Sequence, residues 1–348
     1  MKPAVSRATD PVVAESGFTL IELLISTAIM MIVSGVVTAA LLQMTNAQAT
    51  IWNRTAMHAG VRSATELLQQ EVGQAGAIAL PADVTLTAGV AVGGTTATVS
   101  SVSGMFCGEL LIFSASGTGS QPETAHLASS SCVNAATKVI TIDKVVDYTN
   151  NQLAPSFQYA HQSGGAVRVH GGFVTGIVPP AASPVSFTNG STASLLKMYG
   201  DINADGNMVY NEYYVYPTCI CSATCSPSTT TGSLYRNTMA LDAATKPALT
   251  SAQVILSNVT ANPGGTACFQ YQMDDSNAYV LDVAITLTVQ TQTIDPITKA
   301  VQTETKALLN VSPRNVVDTW ELASDNAARV QSTPPSIITL IGLPVVVN

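Results

Sequence analysis

Between Leu23 and Leu42 the chain runs for twenty residues without a charged side chain. Wound as a helix, that run is about 30 Å long, the thickness of the hydrocarbon layer of a bilayer. One membrane-spanning segment is the simple reading. Glu22 stands directly before the run, and a carboxylate there needs a proton, water or a cation. No proline interrupts Phe18 to Leu80, so nothing breaks the helix where the apolar run ends. Past Leu42 the apolar residues thin to a stripe of Met44, Ala47, Ile51, His58, Val61, Ala64, Leu68, Val72 and Ala75. Their spacings, mainly three and four, are those of one helix face. The pattern predicts a single helix from about Phe18 to about Gln74, ~85 Å long, closing at Gly73 and Gly76 ahead of Pro81.

Beyond Pro81 short β-branched runs alternate with Gly, Ser, Asn and Pro, as in "VTLTAGVAV", "KVITIDKVV" and "GAVRVHGGFV". These read as strands. In "YVLDVAITLTVQTQT" the residues Leu281, Val283, Ile285, Leu287 and Val289 share one face, which predicts a half-buried antiparallel strand able to cover the helix stripe. The expected fold is α+β, one very long N-terminal helix packed on a mainly antiparallel β-sheet domain. Near the end, "SIITLIGLPVVVN" is interrupted by Gly342 and Pro344 and is too short to span a bilayer. It reads as a terminal strand or extended segment, with a strand-donating tail as the alternative.

Charge and cysteine content narrow the partners. Asp and Glu outnumber Lys and Arg by 22 to 14, a net charge of −8, and no basic run exists to neutralise phosphates, which argues against nucleic acid. All six cysteines, Cys107, Cys132, Cys219, Cys221, Cys225 and Cys268, follow the apolar segment. An even number suits an oxidising compartment. Cys107 and Cys132 bracket a loop and are candidates to pair, whereas "CICSATC" with Cys268 leaves several connectivities open. A metal site at Cys219, Cys221 and Cys225 is the alternative, without the paired spacing of common zinc sites.

The small residue Gly17 precedes the apolar run, where a secretory signal places its cleavage site after it. Gly17, Phe18, Thr19, Leu20, Ile21 and Glu22 resemble the cleavage and methylation site of type IV prepilins and type II secretion pseudopilins. The resemblance implies a leader of residues 1–17, removed by a prepilin peptidase that cuts after Gly17 and N-methylates Phe18. It implies that Glu22 pairs with the amino terminus of an adjacent subunit. The alternative for Glu22 is a plain signal anchor whose carboxylate snorkels to water. Also implied are a pilin-like organisation with a helix at 18–75, of which 18–42 is transmembrane segment and filament core, a globular domain at 76–318 and a tail at 319–348. The partners it implies are other pilin or pseudopilin subunits and the inner-membrane assembly platform. The precursor would sit in a bacterial inner membrane with its globular part on the periplasmic side, then move to a pilus at the cell surface. Downstream, "EYYVYPT", "TGSLYRN", "QVILSNV", "CFQYQMDD" and "VSPRNVV" are similar in order to PilW-like minor pilins, and next to J-type pseudopilins.

A second motif, "DINADGNMVYNE" at 201–212, fits D-x-[DN]-x-[DN]-G-x5-E at every position. Asp201, Asn203 and Asp205 offer side-chain oxygens, Asn207 its carbonyl, and Glu212 a bidentate carboxylate, the donor set of a Ca²⁺ cage. Flanking strand patterns place the loop in a β-hairpin and give calcium a structural role. An Asp/Asn/Gly turn without metal is the bland alternative. No enzyme pattern emerges: His58, His126, His161 and His170 lie apart, and neither G-x-S-x-G nor H-E-x-x-H occurs. The expectation is a non-enzymatic minor pilin. A type II secretion pseudopilin and a calcium-stabilised tip adhesin are its rivals.

Overall fold

A computed structural model describes residues 17–147, 152–181, 189–222, 231–275, 277–317 and 330–346. The first element is a 55-residue helix, α1 (Leu20–Gln74), within a residue or two of the predicted span. From Leu20 to Met44 the helix is exposed on every side. Its last turns bury Val61, Ala64, Thr65, Leu68, Glu71 and Val72. Each buried Val or Leu is worth about 1.5–3 kcal/mol, so tertiary packing holds this half of the helix, whereas the first half has no partner among the described residues.

Two antiparallel sheets follow. The first comprises β1 (Val84–Thr85), β2 (Thr96–Thr98), β3 (Leu110–Phe113), β4 (Glu123–Leu127), β5 (Val133–Asn134), β6 (Val139–Asp147), β7 (Gln152–Ala154) and β8 (Ala166–Val169), with main order β1-β8-β3-β4-β6-β2. After the short β9 (Phe173–Val174) comes the second sheet. It is built from β10 (Leu195–Gly200), β11 (Val209–Tyr216), β12 (Gly232–Ala240), β13 (Val254–Thr260), β14 (Phe269–Met273), β15 (Val280–Gln290) and β16 (Thr303–Val311). Its order is β10-β11-β12-β13-β15-β14, with β16 on the other edge of β15. β10 to β13 follow one another as an antiparallel meander, and the β13–β15 pair passes over β14, which lies on β15 beside it.

The second sheet receives α1. Val283, Ile285, Leu287 and Val289 of β15 pack with Val61, Ala64, Leu68 and Val72 in one core, as their alternation predicts, whereas Leu281 is only half-buried and Val280 takes its place in the core beyond an irregularity in the β14–β15 register. Leu111, Phe113, Ile140 and Phe157 anchor a separate core under the first sheet, so the β-rich region holds two sheets, each with its own interior. A third cluster joins Tyr199, Tyr210 and Met239 to Ile337, Leu340 and Ile341. Those three isoleucine and leucine residues belong to α2 (Pro335–Gly342), a helix where the sequence suggested a strand or extended segment. Pro335 explains the difference, because a proline in the first helical turn lacks only an N–H that would have no partner. Ahead of it, β17 (Val330–Gln331) pairs in parallel with β9.

The stripe along α1 is shorter than expected. Met44 and Ile51 are exposed, and His58 is a half-exposed partner of Glu304. Packing toward the membrane end stops at residues 50–54, where the β15–β16 hairpin makes its last contacts with α1 through polar side chains.

At its other end α1 stops at Ala75, whose N–H still bonds Glu71 and Val72 carbonyls. Gly76 turns the chain with φ +84, and a Cβ there would lie 2.7 Å from the Val174 carbonyl oxygen. Gly176 and Gly200 crowd the same point, each with a Cβ position 2.7 Å from Gly76 N. Backbones meet here at distances no side chain allows.

Candidate functional site

The site is the exposed start of α1. Thr19 is its N-cap in extended conformation, and its hydroxyl accepts from Glu22 N at 3.3 Å. In return, the Glu22 carboxylate accepts from Thr19 N and from the Thr19 hydroxyl, both at 2.9 Å. This is a capping box, which satisfies two donors at the helix start reciprocally. The carboxylate thus rests against its own helix end, whose partial positive charge favours it. Thr19 is absent from the site residues singled out by the sequence reading, although Thr-x-x-Glu ahead of an apolar run was the signal for it.

Gly17 and Phe18 precede the cap as exposed coil. A Cβ built on Gly17 would meet nothing within 4 Å, and its φ lies outside the left-handed range. Among the described residues nothing selects glycine at this position, in contrast to Gly76. Phe18 is 84% exposed, and the following apolar turns find no partner among the described residues. A preference for glycine here comes from outside the fold.

An exposed apolar helix, long and apolar enough to cross a membrane, behind a Gly-Phe-Thr-x-x-Glu start and carrying a β-rich domain at its far end, fits a membrane-anchored precursor. Residues 14–38 match the prokaryotic N-terminal methylation motif, the type IV pilin-type leader, which supports the prepilin and pseudopilin family. No curated protein and no solved structure matches the chain.

The 201–212 loop takes a form that the motif did not foretell. Asp201 is buried, and its two carboxylate oxygens accept from Asp205 N and Gly206 N, each at 2.9 Å. Asp205 accepts from Asn207 N at 2.8 Å. Asn203, Asp205 and Asn207 are exposed on the same turn. Glu212 stands apart: Gly200 pairs with Val209, and Glu212 lies three residues further along β11, opposite Lys197. At ~3.4 Å per residue that is roughly 10 Å from the hairpin end, beyond the reach of a glutamate side chain. Its carboxylate is buried and accepts from Lys246 Nζ and the Tyr210 hydroxyl, both at 2.7 Å. A Ca²⁺ cage closed by Glu212 does not fit this geometry. Strand pairing carries position 12 away from the loop, where an EF-hand's helix would return it. Asp201, Asn203, Asp205 and Asn207 remain together, short of the six to eight oxygens calcium takes. Among the described residues no group of three or more His, Cys, Asp or Glu side chains is placed to hold a metal.

Disulfides join Cys107 to Cys132 and Cys221 to Cys268. Cys219 is also disulfide-bonded, and Cys225 lies outside the described residues. With Cys219 and Cys221 oxidised, the metal alternative for that cluster falls. Loops of 25 and 47 residues correspond to about 3–4 kcal/mol of stabilisation each on the chain-entropy account.

Two buried charge clusters escaped the sequence reading. Glu71 of α1 accepts from Asn211 Nδ2 at 2.9 Å, the Tyr213 hydroxyl at 2.7 Å, and Arg236 Nε and Nη2 at 2.9 and 2.6 Å. It pins the helix to β11 and β12. Around Glu212, Lys246 Nζ also donates to the Leu343 carbonyl at 2.7 Å, and Lys197 Nζ to that of Asn189 at 2.6 Å. Burial pushes the Lys197 ammonium down to about 8, with Glu212 pulling against that and Lys246 adding to it. Lys246 holds the C-terminal end of α2, where the helix dipole favours a cation.

The histidines have structural partners. His161 is buried with Nε2 2.8 Å from Glu123, and His126 Nδ1 lies 2.7 Å from Asp143.

Proposed function

We propose that this chain is a minor subunit of a type IV pilus, acting in priming or at the tip after its leader is removed and Phe18 is N-methylated. The observation that carries the reading is the exposed 17–22 segment, where a glycine without a structural reason precedes an apolar helix without a partner. A prepilin peptidase supplies the reason for the glycine. Neighbouring subunits supply the partner for the helix. Cleavage after Gly17 would create an α-amine one residue before the Thr19 cap. In a staggered bundle of helices, such an amine from the next subunit takes over the Glu22 carboxylate, which local contacts hold in the single chain. Both charges are then buried together as a pair, each offsetting the other's cost in the apolar bundle.

The two-sheet domain supports a minor role. A first sheet projecting from the helix-bound one is bulky for a subunit repeated thousands of times. The same leader serves type II secretion pseudopilins, and deletion separates the two: loss of filaments with secretion intact supports the pilus, and the reverse supports the pseudopilus. The processing step is tested by Gly17→Ala, which should leave the leader attached. Mass spectrometry finding a normal N-terminus at Phe18 in that variant would overturn it.

A further inference from the structure

The β15–β16 hairpin extends past the end of the packed core and stops beside residues 50–54 of α1. Thr50 donates to Asp295 at 3.2 Å, Asn53 to Thr293 at 2.7 Å, and Arg54 bonds Gln302. These bonds fix the axial level of the tip on the helix. At that level four large apolar side chains face outward: Ile51 and Trp52 on the helix, Ile294 and Ile297 on the hairpin, all more than 60% exposed. Among the described residues no group covers them.

We propose that this collar docks on the headgroup layer of the bilayer while the chain is still membrane-anchored. The inference rests on the anchoring reading and extends it to the globular domain. Depth supports it. With Glu22 kept in the opposite headgroup layer, a 30 Å hydrocarbon slab begins at about residue 25 and ends at about residue 44. A headgroup layer of about 5–8 Å extends three to five residues further, to about residue 49. The hairpin tip lies at that boundary. Tryptophan is enriched in this zone, and Trp52 is the aromatic residue that follows the span.

Charge points to the same occupant. Arg54 and Lys299 are exposed at the collar. One anion stands with these two cations: Asp295 is 2% exposed, its carboxylate accepts from Thr50, from Ile297 N at 2.7 Å, Thr298 N at 3.0 Å and the Gln302 amide, and it faces Arg54, which leaves the rim with one positive charge in excess. Within a chain of net charge −8, this rim presents cations among apolar side chains, the combination that binds anionic lipid surfaces.

The test uses the full-length chain in vesicles of phosphatidylethanolamine and phosphatidylglycerol. Nitroxide labels are placed at Ile297→Cys, at Val33→Cys within the span, and at Thr137→Cys on an exposed turn of the first sheet. Docking predicts a several-fold lower collision rate with an aqueous nickel chelate at residue 297 than at residue 137, relaxing when Ile294→Asp is added or when phosphatidylcholine replaces the anionic lipid. A water-like label at 297 with a lipid-buried label at 33 overturns docking and leaves anchoring intact. Shielding at 297 that comes with dipolar coupling between copies overturns it in favour of a subunit contact. A water-like label at 33 overturns docking and anchoring together.

Discussion

Two glutamates on the same helix meet opposite fates. Glu22 and Glu71 are 49 residues apart on α1, about 74 Å along its axis. Glu71 is 5% exposed and held by an arginine, a tyrosine and an asparagine from two strands. Glu22 is exposed, and Thr19, three residues away, supplies the donors its carboxylate accepts. A carboxylate held by a sheet is a fixture, since removing it leaves a part-buried arginine without its counter-ion and two fully buried donors, Asn211 and Tyr213, without their acceptor. One held by its own helix cap gives up about one hydrogen bond's worth of stability when a better cation arrives. The difference makes one glutamate part of the domain's architecture and leaves the other free to change partner, as the proposed assembly role requires.

The sharpest way to break this contrast is Glu71→Ala. Arg236 would lose its counter-ion, and Tyr213 and Asn211 an acceptor. The variant should lose about 3 kcal/mol of domain stability, read by chemical denaturation of the full chain in detergent, while Glu22→Ala should leave that transition in place. Equal midpoints for Glu71→Ala and the unmodified chain would end the distinction.

A third carboxylate extends the comparison to pH. Glu109 is fully buried, and burial pushes it up to about 8 against the one amide bond from Phe106. The folded state thus holds a proton that the unfolded chain releases near pH 4.5. The stability linked to it is complete below pH 4.5 and is lost as pH rises toward 8, at up to about 1.4 kcal/mol per pH unit. Glu109→Gln should flatten that slope in melting temperatures measured from pH 4.5 to 8; an unchanged slope would show that another group carries it.

The smallest effect belongs to the cap. Thr19→Ala should cost about 1 kcal/mol of local helix stability, seen as faster amide exchange at residues 20–23 with no shift in global unfolding. An equal effect on the global transition would mean that the start of α1 is coupled to the sheets.

What could be read from the sequence follows the range of the interactions. The long helix was legible because its period and its lack of proline are local facts, and the apolar face of β15 because alternation is local too. Cys107 and Cys132 bracket one loop, and they pair. Glu71 was not legible: a glutamate on the polar-looking half of a helix resembles any solvated one until β11 and β12, some 140–165 residues on, bring its partners. The same holds for Lys197, Glu212 and Lys246. At Glu212 a local motif pointed to calcium, and strand register, which the motif does not encode, assigned the carboxylate to a lysine. Only the 14–38 segment is legible from comparison as well.

The junction at Gly76 has a mechanical meaning. A subunit whose helix is gripped by its neighbours is pulled along α1 whenever the filament bears load. That pull arrives at Gly76 N, bonded to the Tyr199 carbonyl at 3.0 Å, at Gly76 O, bonded to Val174 N at 2.8 Å, and at Ala77 O, bonded to Asp201 N at 2.8 Å. Three main-chain bonds to two different segments are loaded side by side, with no flexible side chain between them. Tension is therefore shared rather than passed through one bond after another, and the joint resists stretching as a stiff weld.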